Sequence, residues 1–175
     1  IALEGYGPLT VATARTTLGA LALLGLCQLT GQDVRLKDRQ TWAYVIPIGL
    51  LSTALPFFML SWGQQYVPSA FAGLTMAALP LFVMPLAHMF SDEHMTMRGI
   101  IGVVLGFVGA VVLIGPGALT FANNSIDLLA RLACLGAAIA YAVSSVMTRR
   151  CPPIEPLTLA TLALAVGAVA LVPAT

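Results

Sequence analysis

A single arginine lies inside an otherwise apolar stretch near the beginning of the chain. Arg15 is the eighth residue of the apolar run 8–29, about 11 Å along a helix that rises 1.5 Å per residue. A charge at that depth of a bilayer costs at least about 2.5–3.5 kcal/mol, so the guanidinium should face protein or water. It could supply a counter-charge for an anionic solute. The alternative is a structural arginine that binds carbonyl oxygens or reaches toward the membrane surface.

Other polar, sulfur and aromatic side chains lie at the middle of apolar runs and are candidates for a solute pathway. They are Ser52, Thr53, Thr75, Met76, Tyr141 and Ser144. Serine and threonine inside helices often bond their own i−4 carbonyl, so a structural role is the alternative for each hydroxyl. Pro56 and Pro80 each remove a helical hydrogen bond, which predicts either a hinge or a static kink at these two positions.

Four glycines lie on one face of a further apolar run, with spacings of three, four and three residues. They are Gly99, Gly102, Gly106 and Gly109. Small residues at this spacing let two membrane helices approach closely, so we predict a helix-packing role. A nucleotide-binding loop is excluded because no strand precedes the glycines and no lysine follows them.

The residues needed for intramembrane catalysis are missing from this sequence. All acidic residues lie in loops or at the ends of apolar runs, and neither an HExxH pattern nor a serine with a neighbouring base occurs. His88, His94 and the three cysteines lack the spacing of metal ligands. We therefore predict no enzyme activity, no metal and no cofactor. The net charge of +1 gives no electrostatic basis for binding nucleic acid.

The composition places these residues in a polytopic membrane protein with an all-α fold. Hydrophobic residues are 59% of the chain, charged residues are 9%, and the mean hydropathy is +0.95. A helix needs about 20 apolar residues to cross a bilayer, and the alternation of outer-membrane strands is absent. Six stretches qualify as transmembrane helices, residues 8–29, 42–63, 69–90, 96–115, 126–148 and 156–175. Ser125 is a plausible N-cap for the fifth, in which Asp127 can pair with Arg131.

The basic residues predict the orientation of these helices. Six arginines and lysines fall in the first, third and fifth connections, whereas the other two connections carry none unless Arg131 is counted. Because cytoplasmic loops are rich in lysine and arginine, we expect loops 30–41, 91–95 and 149–155 to be cytoplasmic. We expect the membrane to be a bacterial plasma (inner) membrane.

Two segments of the chain repeat each other. Residues 8–24 and 156–172 are identical at nine of 17 positions, including a proline, two threonines and a glycine. Arg15 aligns with Ala163, so a role of the arginine is not duplicated. The second copy lies five spans after the first and therefore has the opposite orientation. Inverted repeats of this kind are typical of secondary transporters, and two five-helix units predict a ten-helix protein of which these are helices 2–7.

The sequence resembles the EamA family of the drug/metabolite transporter superfamily over nearly its whole length. Four features carry the resemblance: Pro8 followed by Arg15; Gln65 to Ala70 leading to Pro80; Glu93 to Thr96 leading to Gly102 and Gly109; and Ala140-Tyr141 ahead of Thr148-Arg149-Arg150. His94 and Asp92 depart from the family's usual residues in the third of these.

The resemblance implies ten helices in two inverted five-helix repeats. Residues 1–115 would then hold helices 2–5 of the first repeat, with its first helix missing. Residues 116–125 would be the inter-repeat loop, and residues 126–175 the first two helices of the second repeat. The family transports small organic molecules, often as exporters.

We therefore expect a secondary transporter that moves small organic metabolites or drugs by alternating access, with membrane lipids and a small solute as its partners. The alternative is a structural or channel-like membrane protein, for which an inverted repeat and a buried arginine are not expected. Neither the substrate nor the oligomeric state follows from the sequence.

Overall fold

The computed structural model describes residues 7–32, 38–90, 95–114 and 124–171. Within these ranges every regular element is a helix, which confirms the predicted all-α fold. The six helices, one for each predicted stretch, are α1 (Pro8–Thr30), α2 (Arg39–Gly63), α3 (Ser69–Phe90), α4 (Met97–Ile114), α5 (Ser125–Arg150) and α6 (Pro156–Leu171).

Four of the helices, α1, α2, α3 and α5, are long and apolar enough to cross a membrane. The other two, α4 and α6, are apolar but shorter. The predicted run 156–175 extends past the end of α6 at Leu171, and residues 172–175 lie outside the described part of the chain. The segments 33–37, 91–94 and 115–123, which contain part of the first predicted connection and most of the third and fourth, also lie outside it.

The first connection is shorter than predicted. Gly31, with a φ of 70°, takes the left-handed conformation that glycine adopts most easily, and it ends α1. Helix α2 begins at Arg39, three residues before the predicted start, because Asp38 caps it. The Asp38 carboxylate accepts hydrogen bonds from the backbone N–H groups of Gln40 at 3.0 Å and Thr41 at 3.2 Å.

The fifth helix is longer than predicted at both ends. The N-cap is Asn124 and not Ser125, so that prediction was wrong: the Asn124 side chain accepts a hydrogen bond from the Asp127 N–H at 2.8 Å. The predicted ion pair is confirmed, since Arg131 Nε lies 2.9 Å from Asp127 Oδ1. Helix α5 continues to Arg150, so the two basic residues at its end lie in the last helical turn and not in the loop 149–155.

Helices α2 and α3 are each interrupted near a predicted proline. In α2 a π-helical turn, Leu50–Ala54, separates Arg39–Gly49 from Leu55–Gly63, and Pro56 is the second residue after the turn. In α3 a turn at Ala78 separates Ser69–Ala77 from Leu79–Phe90, and Pro80 follows. A proline has no N–H to donate to the preceding turn, which accounts for irregular backbone at both places.

Helix α5 lies at the centre of the described bundle. It packs against the Leu55–Gly63 half of α2 and the Leu79–Phe90 half of α3. Helix α6 packs against α1 and against the first half and the π turn of α2, whereas α4 lies at the edge, mainly against α3. This arrangement leaves a space bordered by α1, α2, α3 and α5.

Helices α1 and α6, which carry the repeated sequence, pack in opposite directions. Cys27 near the end of α1 places its Sγ 3.3 Å from Thr161 Oγ1 near the start of α6. At the other end of the pair, Ala12 and Leu171 belong to one buried cluster. The two copies of the repeat are therefore neighbours.

Two glycines allow α2 and α6 to approach closely. A Cβ atom on Gly167 would lie 2.6 Å from Thr53 Cγ2, and one on Gly49 would lie 2.7 Å from the Ala163 carbonyl oxygen. Both distances are well inside the roughly 3.5–4.0 Å of ordinary carbon contacts. The π turn of α2 is thus held directly against α6.

Candidate functional site

A pocket of about 350 Å³ lies between α1, α2, α3 and α5. Three of the predicted pathway residues meet there, Arg15 from α1, Met76 from α3 and Tyr141 from α5. The remaining lining residues are Ala12, Phe57, Leu60, Ser61, Gln64 and Leu79. A mostly apolar cavity of this size with a few polar groups is the usual form of a small-molecule site.

Arg15 supplies the only charged side chain among the described residues that line this pocket. Its guanidinium carbon lies 4.9 Å from the centroid of the Phe57 ring, within the range of a cation–π contact. No carboxylate in the described residues forms an ion pair with it, and no described group accepts a hydrogen bond from it. No described carbonyl oxygen binds Arg15, but its side chain is exposed, so the counter-charge role and the structural role both stay predictions.

Helix α2 supplies one wall of the pocket from a single face. Leu60, Ser61 and the C-cap residue Gln64 lie three, four and seven residues after Phe57, which are the spacings of one helix face. The Ser61 hydroxyl and the Gln64 amide add neutral donors and acceptors to the Tyr141 hydroxyl. Sequence reasoning missed all four residues, although this spacing beside a proline was a usable signal.

Four of the predicted pathway residues lie in helix contacts and do not line the pocket. Thr75 Oγ1 donates to the Phe71 carbonyl at 2.9 Å, the i−4 bond named as its alternative. Ser144 Oγ donates to the Ile48 carbonyl at 3.3 Å and so joins α5 to α2. Thr53 is buried against α6, and its hydroxyl lies 3.3 Å from that of Ser52.

The two predicted prolines adjoin the pocket wall. Pro56 is buried and immediately precedes Phe57, whereas Pro80 immediately follows Leu79. The interruptions of α2 and α3 therefore help to direct the Phe57 and Leu79 side chains toward the pocket. A hinge motion at either position stays a prediction.

The glycine face of α4 is largely without neighbours in the described structure. Only Gly99 has close contacts, with Thr96 and with Met84 of α3. Around Gly102, Gly106 and Gly109 no described atom lies within 4 Å of where a Cβ would stand. Their helix-packing role stays a prediction.

A larger cavity of about 650 Å³ beside the π turn of α2 is a poor candidate for a solute site. Its lining is wholly apolar and includes Pro47, Leu50, Phe58 and Leu171. Solute sites need a few polar groups that fix the orientation of the solute, and the described lining of this apolar groove has none. The described residues also contain no cluster of three or more potential metal ligands.

Comparison with known proteins agrees with the resemblance in the sequence. The family model of the EamA-like transporter family matches residues 1–115. The uncharacterized transporter YdfC of Bacillus subtilis is 29% identical over 125 residues, which are 71% of this chain and 40% of that protein. An uncharacterized transporter of Archaeoglobus fulgidus is 25% identical over 166 residues, 95% of this chain and 56% of that protein.

A further relative has a more informative name. The probable terminal-alkyne amino-acid exporter of Streptantibioticus cattleyicolor is 30% identical over 118 residues, 67% of this chain and 39% of that protein. The chain spans about half the length of the curated relatives it matches. No solved structure matches it significantly. Since the family match covers well over half of the chain and the described fold is a bundle of apolar helices, the chain is an integral membrane protein that belongs to the EamA-like transporter family.

Proposed function

We propose that the protein is a secondary transporter that exports small organic solutes, and that the pocket lined by Arg15, Met76 and Tyr141 is part of its binding site. The observation that carries this proposal is a mostly apolar pocket, bordered by four helices of a transporter-family fold, with one cation that has no ion-pair partner among the described residues. A charge in such a place is costly to retain without a function. Enzyme chemistry is not part of the proposal, because family membership favours transport over catalysis.

The rest of the proposal concerns the whole transporter. The antiparallel packing of α1 against α6 supports two inverted repeats that work by alternating access, with the solute near the repeat interface. In that arrangement the chain holds helices 2–7 of ten, with the repeats divided by residues 116–125. The distribution of arginine and lysine supports a cytoplasmic location for loops 30–41, 91–95 and 149–155 in a bacterial inner membrane.

The test uses the natural full-length protein in cells that lack redundant exporters. Tolerance to a panel of amino acids, related metabolites and cationic drugs is compared between the native protein and two pocket variants, Arg15→Ala and Met76→Trp. The tryptophan should fill the pocket and abolish protection at unchanged expression. Met89→Trp is the matched control, because Met89 lies on the same helix but is 72% exposed and outside the pocket.

Protection by the native protein and by Met89→Trp, lost in Met76→Trp, supports the proposal. If no solute in the panel gives protection and purified protein in liposomes transports none, the structural or channel-like alternative is favoured. Protection that survives in both pocket variants would place the solute pathway elsewhere in the bundle.

A further inference from the structure

The charges of the described helices are distributed unevenly around the pocket. Of the described lining residues only Arg15 is charged, and the polar groups on Ser61, Gln64 and Tyr141 are neutral. Across the six described helices the only acidic residue is Asp127. No described carboxylate therefore lies in the pocket to balance the guanidinium or to bind an ammonium group.

Asp127 is separated from the pocket by distance and by its own partner. It lies in the first turn of α5, 14 residues before Tyr141 in the sequence, or about 21 Å along the helix. Its carboxylate is held by Arg131 at 2.9 Å. A solute in the pocket thus meets a positive field from Arg15 and no compensating negative charge from the described helices.

The Phe57 ring cannot replace the missing carboxylate as a binding site for an ammonium group. The face of that ring is already covered by the Arg15 guanidinium at 4.9 Å. The ring itself is held in place, since it packs against the buried cluster of Ala12, Ala54 and Leu171. Phe57 therefore fixes the direction of the guanidinium and leaves its N–H groups available to a ligand.

We propose that the solute of this pocket is an organic monocarboxylate with an apolar body, bound through Arg15, and that Phe57 is the positioning residue for the guanidinium. The carboxylate accepts two N–H bonds from the guanidinium fork, and the body lies against Leu60, Met76 and Leu79. This inference rests on the proposed function and adds its substrate class.

The test is equilibrium binding to the purified full-length protein in detergent at pH 7.5, with three probes that share one body. Phenylacetate carries a carboxylate, phenylacetamide carries a neutral amide, and phenethylammonium carries a cation. We expect phenylacetate to bind most tightly. Arg15→Gln should weaken phenylacetate binding by about 10- to 100-fold, the range for loss of a charged hydrogen bond. The same variant should leave phenylacetamide binding within about twofold.

A matched control addresses the net charge. Arg98 lies near the start of α4, is exposed and is outside the pocket. Arg98→Gln removes the same charge and should leave the affinities for all three probes unchanged. An equal loss of phenylacetate affinity in Arg98→Gln would show that the effect belongs to the overall charge and would overturn the role of Arg15.

The positioning role of Phe57 has its own readout, the ratio of phenylacetate to phenylacetamide affinity. Phe57→Leu keeps an apolar side chain and removes the ring face, so phenylacetate alone should weaken by about 2- to 30-fold. Phe57→Tyr should restore the ratio. Phe58→Leu, the same change on the neighbouring residue, which lines the apolar groove, should not alter it. Equal weakening of both probes by Phe57→Leu would mean that Phe57 only packs.

The experiments distinguish an error in the proposed substrate class from an error in the proposed transport function. If phenethylammonium or phenylacetamide binds as tightly as phenylacetate while the tolerance assay still finds a pocket-dependent solute, the monocarboxylate class is wrong and the transporter stands. If no solute is transported but phenylacetate binds selectively through Arg15, the class of ligand is right and the transport function is wrong.

Discussion

Substitution of Gly167 by alanine tests whether the π turn of α2 is held against α6. The added Cβ would lie 2.6 Å from Thr53 Cγ2 and 2.7 Å from Thr53 Cβ, about 1 Å short of an ordinary carbon contact. Thr53 is only 2% exposed, so it has little room to move. The helices must separate, and overpacking of this kind costs about 1–3 kcal/mol.

The matched control is Gly73→Ala in α3. Gly73 is exposed, and no described atom lies within 4 Å of the position of its Cβ. Both variants gain the same helix propensity of alanine over glycine, so their difference isolates the steric term. We expect Gly167→Ala to unfold more easily than Gly73→Ala by about 5- to 150-fold in the unfolding equilibrium, the equivalent of about 1–3 kcal/mol.

The assay is reversible unfolding of the purified protein in mixed micelles of a mild detergent and dodecyl sulfate. A second variant checks the mechanism: Thr53→Ser in the Gly167→Ala background removes the Cγ2 methyl group and should recover part of the loss. If Gly167→Ala is at least as stable as Gly73→Ala, α2 and α6 are not in contact at this position.

Three further predictions concern the ends of the helices. Arg131→Met should lower the free energy of unfolding by about 1–3 kcal/mol, because it removes the partner that lies 2.9 Å from the buried Asp127 carboxylate. The double variant with Asp127→Asn should recover part of the lost free energy in the same unfolding assay. Hydrogen bonds from the Gln40 backbone and the Thr41 side chain hold the pKa of Asp38 below its ordinary value. The extra stability of the native protein over Asp38→Asn should therefore be present at neutral pH and vanish as the pH falls through that lowered pKa. A stability difference that grows on acidification would contradict this. Burial raises the pKa of the Cys151 thiol, so a membrane-impermeant maleimide should label Cys151 faster as the pH rises, and only from the cytoplasmic side. The buried Cys27 and Cys134 should stay unlabelled. Labelling of Cys151 from the outer side would reverse the proposed orientation.

Much of the fold was predictable because apolar runs of bilayer length have few alternatives. Length and composition located all six helices, and the arginine in the first run pointed to the pocket. Their ends were less predictable, since Asn124 and Ser125 are both good caps and only the local backbone decides between them. The direction of each side chain was the least predictable property.

The positions of the candidate pathway residues illustrate the difficulty of predicting side-chain direction. The π turn directs Thr53 toward α6, and the Ser144 hydroxyl donates to the Ile48 carbonyl, so neither side chain lines the pocket. A π turn has no reliable sequence pattern, so the spacing of Phe57, Leu60 and Ser61 after the proline indicates that they share a helix face but not that this face borders the pocket. Phe57 and Gln64 were missed for the same reason.

The most direct test of the central claim asks whether a solute occupies the pocket beside Arg15. Ser61, which lines it, is replaced by cysteine, and the rate of alkylation is measured in the full-length protein with and without the solute found in the tolerance assay. Native Cys151, half-buried in the connection between α5 and α6, serves as the control in the same molecule. We expect the solute to slow alkylation of the cysteine at position 61 and to leave that of Cys151 unchanged. Equal rates at position 61 with and without a solute that the protein demonstrably transports would contradict this expectation.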